Sequence, residues 1–161
     1  MSEPFDPADV TWSRVSPRLA AARITTTCIV FALPIAILVV IAAMTGEMWV
    51  WLSAAVLVLF VGWLVLLTRR QVRAIGYAER DDDLLVRKGL MFRQLVVVPY
   101  GRMQYVDVTA GPLARKFGIA AVQLHTASPA TTATIDGLPP HEAARLRERL
   151  ASRGEARLAG L

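Results

Sequence analysis

Two long uncharged segments, Ile24–Met44 and Met48–Leu67, constrain this chain more than any other feature of its sequence. Each has roughly the 20 apolar residues that a helix needs to cross the hydrocarbon core of a bilayer. Neither contains an Asp, Glu, Lys, Arg or His, and only the tripeptide Thr45–Glu47 separates them. So short a connection predicts two antiparallel helices. Everything after the second helix then lies on the same side of the membrane as the N-terminus.

Arginines flank the two segments on the side that carries the termini, at positions Arg14, Arg18, Arg23, Arg69, Arg70 and Arg73. The opposite turn carries Glu47 and no cation. Positive residues next to membrane spans are retained in the cytoplasm. The sequence therefore predicts a multi-pass protein of the cytoplasmic membrane with both termini in the cytoplasm. A cleaved signal peptide is a poor alternative, because the apolar segment is too long and a second span follows at once.

These features predict five parts. They are a cytoplasmic N-terminal segment (1–23), a two-helix transmembrane hairpin (24–67), a basic juxtamembrane linker (68–73), a folded domain (74–154) and a C-terminal tail (155–161). Ion pathways and polar substrate sites in membranes need ionisable groups at depth, and the two spans have none. We therefore interpret the hairpin as an anchor in the lipid bilayer and not as a pore or transporter.

The net charge of +5 suggests a nucleic-acid partner, but its distribution argues against one. Between Tyr77 and Leu150 there are ten Lys or Arg and eight Asp or Glu, so the folded domain is nearly balanced. The excess lies mainly beside the spans, where it sets topology. We expect no nucleic-acid partner, and a secondary attraction to anionic lipid headgroups.

Short apolar segments broken by turns replace the continuous apolar pattern after Arg73. They predict antiparallel strands at 74–80, 84–88, 90–98, 103–109, 121–126 and 131–136. A final helix is predicted to begin at Pro140, to present Ala143, Leu146 and Leu150 as one apolar stripe, and to stop at Gly154. The expected fold is a membrane α-helical hairpin plus an α+β domain. In that domain the antiparallel strands form a partly open barrel, which the C-terminal helix caps.

Several motifs in the second half of the chain carry a family resemblance. The segments Val98–Val106 (VPYGRMQYV), Gly111–Gly118 (GPLARKFG), Val122–Ala127 (VQLHTA) and Ile135–Leu138 (IDGL) resemble the bacterial pleckstrin-homology (PH) domain family, type 2. Members similar to this chain are small membrane proteins with a two-span hairpin and one such domain. The resemblance implies two curved antiparallel sheets capped by a helix, and little chemistry. It also points to assembly with itself or with membrane proteins that carry several copies of the domain.

Eight residues are candidates for contact with a partner or with lipid. Arg87, Lys88 and Arg93 surround a turn at Gly89; they would either hold an anionic headgroup or phosphorylated partner, or be a solvated hairpin beside a charged membrane. Leu113 and Phe117 share one face of a possible helical turn and would either plug the barrel end or contact the interface or a partner. The remaining candidates are Arg102, Arg115 and Lys116.

No pattern in the sequence indicates catalysis. A nucleophile elbow, a phosphate-binding glycine loop and a zinc motif are all missing from it, so we expect no enzyme and no cofactor. The acidic triplet Asp81–Asp83 would suit a hard cation, but such triplets more often solvate a turn, and no metal is expected. The principal hypothesis is a non-catalytic module, with a protein partner or homo-oligomer at the inner leaflet. The alternatives are an anionic headgroup-binding module and an accessory subunit of a membrane enzyme or export complex.

Overall fold

The computed structural model describes residues 10–126 and 132–158, except for the side chains of residues 157 and 158. Contacts divide the chain into two compact units. One is a helical hairpin of residues 20–70. The other contains residues 71–158 together with residues 10–19. The folded domain therefore includes part of the segment that was predicted to be a separate N-terminal part.

The hairpin unit contains two helices, α1 (Arg18–Thr45) and α2 (Met48–Arg73). Both are long and apolar enough to cross a membrane, and only 6% of the most apolar window of each is buried. A core helix of a soluble protein would be mostly buried, so this exposure fits lipid contact. Phe31 and Phe60 pack edge to face, with their ring centroids 6.3 Å apart. Residues 68–73, predicted to be a linker, continue α2.

The first sheet of the domain, sheet A, contains β1 (Ser13–Arg14), β2 (Gly76–Glu79), β3 (Asp83–Lys88) and β4 (Gln94–Pro99), all antiparallel and in that order. The predicted strand at 90–98 begins only at Gln94. Residues 89–93 form the turn between β3 and β4 instead. The apolar residues Leu90–Phe92 extend the sequence pattern of the strand, which explains the error.

The second sheet, sheet B, contains β5 (Met103–Thr109), β6 (Ala120–Thr126) and β7 (Ala133–Leu138). A 3-10 turn at Tyr100–Arg102 links the two sheets, and the short helix α3 (Pro112–Lys116) links β5 to β6. Alternate residues of β6 are buried, as expected for a strand with one face on a core. The predicted start of the last strand at Thr131 lies outside the described residues.

The helix α4 (Pro140–Leu158) caps the domain and contacts β5, β6 and the 3-10 turn. The predicted stripe is confirmed, because Ala143, Leu146 and Leu150 are fully buried. The predicted stop at Gly154 is wrong. Gly154 is buried inside the helix, and a Cβ there would lie 3.8 Å from Met103 Cε and from the Tyr100 carbonyl oxygen. The glycine lies where the helix closely approaches the turn; it does not end the helix.

The predicted fold class is confirmed as a helical hairpin followed by antiparallel sheets and a C-terminal helix. The two sheets do not close into a barrel, as the separate strand orders show. Fully buried side chains from both sheets and α4 build one core, among them Leu84, Val98, Leu124 and Ile135.

The segment before the first span also belongs to this core. Val15 and Leu19 are buried, and Ser16 donates a 2.9 Å backbone hydrogen bond to the Gly137 carbonyl. Gly137 has φ +80°, and a Cβ there would lie only 2.7 Å from Leu19 Cβ. Glycine is therefore required at this crossing, both for its backbone conformation and for space.

Candidate interaction surfaces

The turn between β3 and β4 carries the first group of predicted contact residues. We call residues 89–93 the hairpin tip. Lys88 pairs with Gln94 across its base. Gly89 has φ +97°, and a Cβ on it would overlap the Phe92 carbonyl oxygen. Only glycine allows the backbone to fold back this closely, so the tip has a defined shape.

The structure exposes three apolar side chains at this tip that the sequence had assigned to a strand. The exposed fraction is 41% for Leu90, 83% for Met91 and 88% for Phe92. A contiguous exposed apolar patch generally marks a site of protein or membrane interaction. Sequence periodicity did not find it, because three apolar residues before a strand look like part of the strand.

The predicted cations Arg87, Lys88 and Arg93 stand at the base of the tip. Arg87 lies over the Trp12 ring, with its guanidinium carbon 4.3 Å from the ring centroid. This cation–π contact joins the hairpin to the segment before β1. Trp12 was not a candidate from the sequence, because nothing local links it to a residue so far along the chain.

Arg102 does not join these three cations. It follows β4, whose last residue Pro99 pairs with Asp83 at the other end of the strand pair. Strands of six residues span roughly 17 Å, so the two ends of sheet A are well separated. One pocket that includes Arg102 together with the three hairpin cations is therefore not formed.

The second group of predicted contact residues lies on α3, so the predicted helical turn is present. Phe117 donates a 3.1 Å backbone hydrogen bond to the Leu113 carbonyl, which places the two side chains on one face. Both are half-buried, whereas Arg115 and Lys116 are exposed. Leu113 and Phe117 therefore present part of their apolar surface beside two cations.

A charged cluster between α4 and β2 was missed by the sequence analysis. Arg145 Nη2 lies 2.6 Å from Glu142 Oε1 and 2.8 Å from Glu79 Oε1. Tyr77 donates a 3.0 Å hydrogen bond to Glu142, and Arg149 Nε lies 3.3 Å from Glu79 Oε2. The spacing of Arg145 and Arg149 places them on one helix face, and this was the only sequence signal for the cluster. It did not reveal their shared partner Glu79, which is distant in the sequence.

The protonation of this cluster follows from its contacts. The hydrogen bonds from Arg145 hold the pKa of the Glu142 carboxyl below its usual value, against the opposing effect of burial. Burial, and then the hydrogen bond to Glu142, raise the pKa of Tyr77 to about 12. The cluster therefore keeps a carboxylate and a neutral phenol together over the physiological pH range. It joins the helix to the sheet, a structural role.

A neighbouring contact fixes the 3-10 turn. Tyr100 is completely buried, and its hydroxyl donates a 3.0 Å hydrogen bond to the Arg80 carbonyl. Arg153 donates to the same carbonyl and also, at 3.2 Å, to the Tyr100 hydroxyl. Burial raises the pKa of Tyr100. These bonds close the end of the core at which sheet A passes into sheet B.

The outer edge of sheet B borders a groove against α4. β5 is the terminal strand of that sheet, and among the described residues no strand pairs with its free edge. The groove has a volume of about 330 Å³. It is lined by Met103, Gln104, Tyr105, Val106, Arg147, Leu150, Ala151, Gly154 and Glu155. An open strand edge beside an apolar groove suits an extended peptide segment.

A second groove, of about 480 Å³, lies beside the turn between β2 and β3. It is lined by Val10, Thr11 and residues 79–83. None of the eight predicted contact residues lines this groove or the groove beside β5. Within residues 10–126 and 132–158, no group of three or more His, Cys, Asp or Glu is arranged to hold a metal ion.

Comparison with known proteins identifies the class to which this fold belongs. The family model described as the bacterial PH domain matches residues 19–154, and the chain belongs to that family. A curated relative is the UPF0699 transmembrane protein YdbS of Bacillus subtilis (strain 168), 30% identical over 99 residues. The alignment covers 62% of this chain and 58% of the relative, so the chain spans little more than half of that protein. No solved structure matches the chain significantly.

The fold and these comparisons together define a membrane-associated protein with a PH-like domain. The two apolar helices agree with the transmembrane description of the relative.

Proposed function

We propose that this protein is a non-catalytic interaction module, anchored in the cell membrane with both termini in the cytoplasm. It assembles with itself or with other PH-domain membrane proteins at the inner leaflet. The observation that carries this proposal is the free edge of β5 beside the groove against α4. A partner strand that adds to this edge gains backbone hydrogen bonds, and its side chains gain apolar contacts in the groove.

The groove is shaped to accept side chains from such a strand. Met103 and Leu150 provide apolar surface at its base, and Ala151 and Gly154 leave space because their side chains are small. Tyr105 is 53% exposed at the rim and stacks on His125, with the ring centroids 4.2 Å apart. A rigid aromatic side chain with little rotamer entropy to lose is typical of residues that dominate binding energy at interfaces.

The occupant we propose is an extended segment from another PH-like domain, and a second copy of this chain is the simplest case. Anchoring in one membrane confines two copies to a plane, which raises their effective concentration. A modest interface is then sufficient for assembly.

A charge placed in the groove tests the docking proposal. Two differently tagged copies of the full-length protein are expressed together in native membranes, extracted in mild detergent and purified through one tag. Ala151→Arg in both copies fills the groove, whereas Ala144→Arg adds the same side chain at an exposed helix position outside it.

The expected result is recovery of the second copy, or of another PH-domain membrane protein, with the unchanged protein and with Ala144→Arg. Ala151→Arg loses most of that recovery. Equal recovery with both variants, or no recovery with the unchanged protein, would show that the groove is not the assembly site.

The proposed orientation rests on the six arginines beside the spans and the single Glu47 in the opposite turn. Cys28 is the only cysteine, so Cys28→Ser gives a background for site-specific labelling. In intact cells, a membrane-impermeant maleimide should label a cysteine at Glu47 and should leave one at Ser152 unlabelled until the cells are opened. The reverse pattern would refute the orientation.

A further inference from the structure

The hairpin tip presents the most exposed large apolar side chains that are described in the domain, Met91 and Phe92. The fold-back of the backbone at Gly89 keeps them directed away from the core. These residues therefore remain in contact with the surroundings of the domain in any state that preserves the turn. A tip of this kind needs an apolar environment outside the domain.

The charges around the tip indicate which environment that is. Arg87, Lys88 and Arg93 form a cationic collar, and residues 84–98 contain no Asp or Glu. Apolar side chains that project beyond a ring of cations match the interface of an anionic bilayer, where acyl chains lie beneath negative headgroups. Three like charges around a small apolar patch would instead weaken a contact with a protein of ordinary surface charge.

The strand register places the tip at a particular end of sheet A. Gly76, the first residue of β2, pairs with Arg87, and Arg14 of β1 pairs with Gly76. The chain therefore enters and leaves the domain at the same end of the sheet as the tip. Three peptide units join Arg73 to Gly76, a reach of about 10 Å. The tip therefore lies at the end of sheet A through which the chain passes to and from the two spans.

The opposite end of sheet A carries charges of both signs, since Arg80 adjoins its acidic residues and Arg153 pairs with Asp81. This end carries the turn at Asp81–Asp83, next to the pair Asp83 and Pro99. Anionic headgroups therefore favour the collar end of the sheet, and the mixed charges of the opposite end add little to that preference.

From these observations we propose that the hairpin tip is a third membrane anchor. Leu90, Met91 and Phe92 enter the interfacial layer of the bilayer, and the collar cations lie against anionic headgroups. The spans already hold the protein in the membrane. The tip therefore acts on the orientation of the domain, and it fixes the direction in which the domain presents its other surfaces.

Insertion is measured on the full-length protein with a local probe, because the spans mask any effect on membrane partition. A single chain is placed in lipid nanodiscs in the Cys28→Ser background, with a fluorescent label at Met91→Cys. Lipids that carry a quencher on the acyl chain report contact with the bilayer. Ala144→Cys, at an exposed position on α4, provides the matched control site.

We expect quenching of the label at Met91→Cys in nanodiscs that contain phosphatidylglycerol, and little quenching at Ala144→Cys. Added Lys88→Gln or Arg93→Gln should each lower the ratio of inserted to free tip about fivefold, and high salt should act in the same direction. Phe92→Ser should reduce the quenching in both anionic and neutral nanodiscs, because it removes apolar surface.

Two outcomes would overturn the proposal. One is a label at Met91→Cys that stays accessible to water in anionic nanodiscs. The other is protection that appears only when two copies share a nanodisc, since this would assign the tip to a protein interface. Because the measurement uses one chain and lipid alone, its result is independent of docking at the groove beside β5.

Discussion

Arg145 of α4 and Glu79 of β2 are joined by an ion pair of 2.8 Å, although they are 66 residues apart in the sequence. The same guanidinium binds Glu142 on its own helix. The pair therefore fixes the position of the capping helix on sheet A, and the helix in turn forms one wall of the groove beside β5. The charged cluster and the proposed docking surface lie on different parts of the same helix.

Replacement of Arg145 by Met should destabilise the domain by about 1–2 kcal/mol, because two carboxylates lose a hydrogen-bonding partner while partial exposure screens the loss. The matched control is Arg147→Met, an exposed arginine two residues later. Urea-dependent pulse proteolysis of the full-length protein in micelles measures both variants. Equal midpoints for the two would contradict the structural role of the cluster.

The stability of the domain should fall in alkaline solution through Tyr77. Its pKa is raised from 10.0 to about 12 in the folded state, so folding favours the neutral phenol. That contribution is fully present below pH 10 and is lost as the pH rises towards 12. Its size is at most roughly 3 kcal/mol.

Tyr77→Phe removes this titration but keeps the buried ring. We expect the unchanged protein to lose more stability between pH 10 and 12 than the variant does, measured by the same proteolysis assay. Tyr100 also has a raised pKa and is present in both proteins, so the difference between the two curves isolates Tyr77. Parallel curves would show that the phenol of Tyr77 is not coupled to folding.

Gly137→Ala should destabilise the domain by about 2–4 kcal/mol, since it combines a positive φ with a clash against Leu19. The loss of stability would be measured as faster hydrogen exchange in peptides of β6, or as a lower temperature at which the domain stops binding a conformation-specific antibody. If the clash contributes, Leu19→Gly, which removes the Leu19 Cβ, combined with Gly137→Ala should cost less than the sum of their separate effects. Strict additivity would leave backbone conformation as the whole cause.

Gly154→Ala should have the opposite sign. The added methyl group would meet Met103 and Tyr100 at ordinary contact distances of 3.8 Å, and alanine is the better helix former. We expect stabilisation by about 0.5–1 kcal/mol, seen as a higher urea midpoint. A lower midpoint would show that the added methyl group does not fit between α4 and the 3-10 turn.

The membrane hairpin and most of the strands were predictable because they depend on local patterns. Apolar length defined the two spans, and the turn at 45–47 lies between the observed helices. The strand at Met103–Thr109 was predicted with its observed bounds, since turn residues flank it on both sides. The stripe on α4 followed from helical periodicity alone.

The predicted contact residues were harder to place. The sequence gave Arg102 as a separate candidate without a position relative to Arg87, Lys88 and Arg93, and the register of β3 and β4 puts it at the other end of the sheet. The apolar tip was assigned to a strand because the same residue types occur in a buried strand and in an exposed turn. The decisive difference is the backbone at Gly89, which only the three-dimensional structure shows.

The sequence by itself determined that this chain has two apolar spans, an antiparallel sheet domain and a final amphipathic helix, because each depends on residues close together in the chain. The tertiary structure alone decided that Ser13 and Arg14, which precede both spans in the chain, join sheet A, where they pair with Tyr77 and Gly76. It also decided where the edge of β5 remains open. Contacts between distant residues depend on the combined geometry of all the intervening elements, and no local pattern records that geometry.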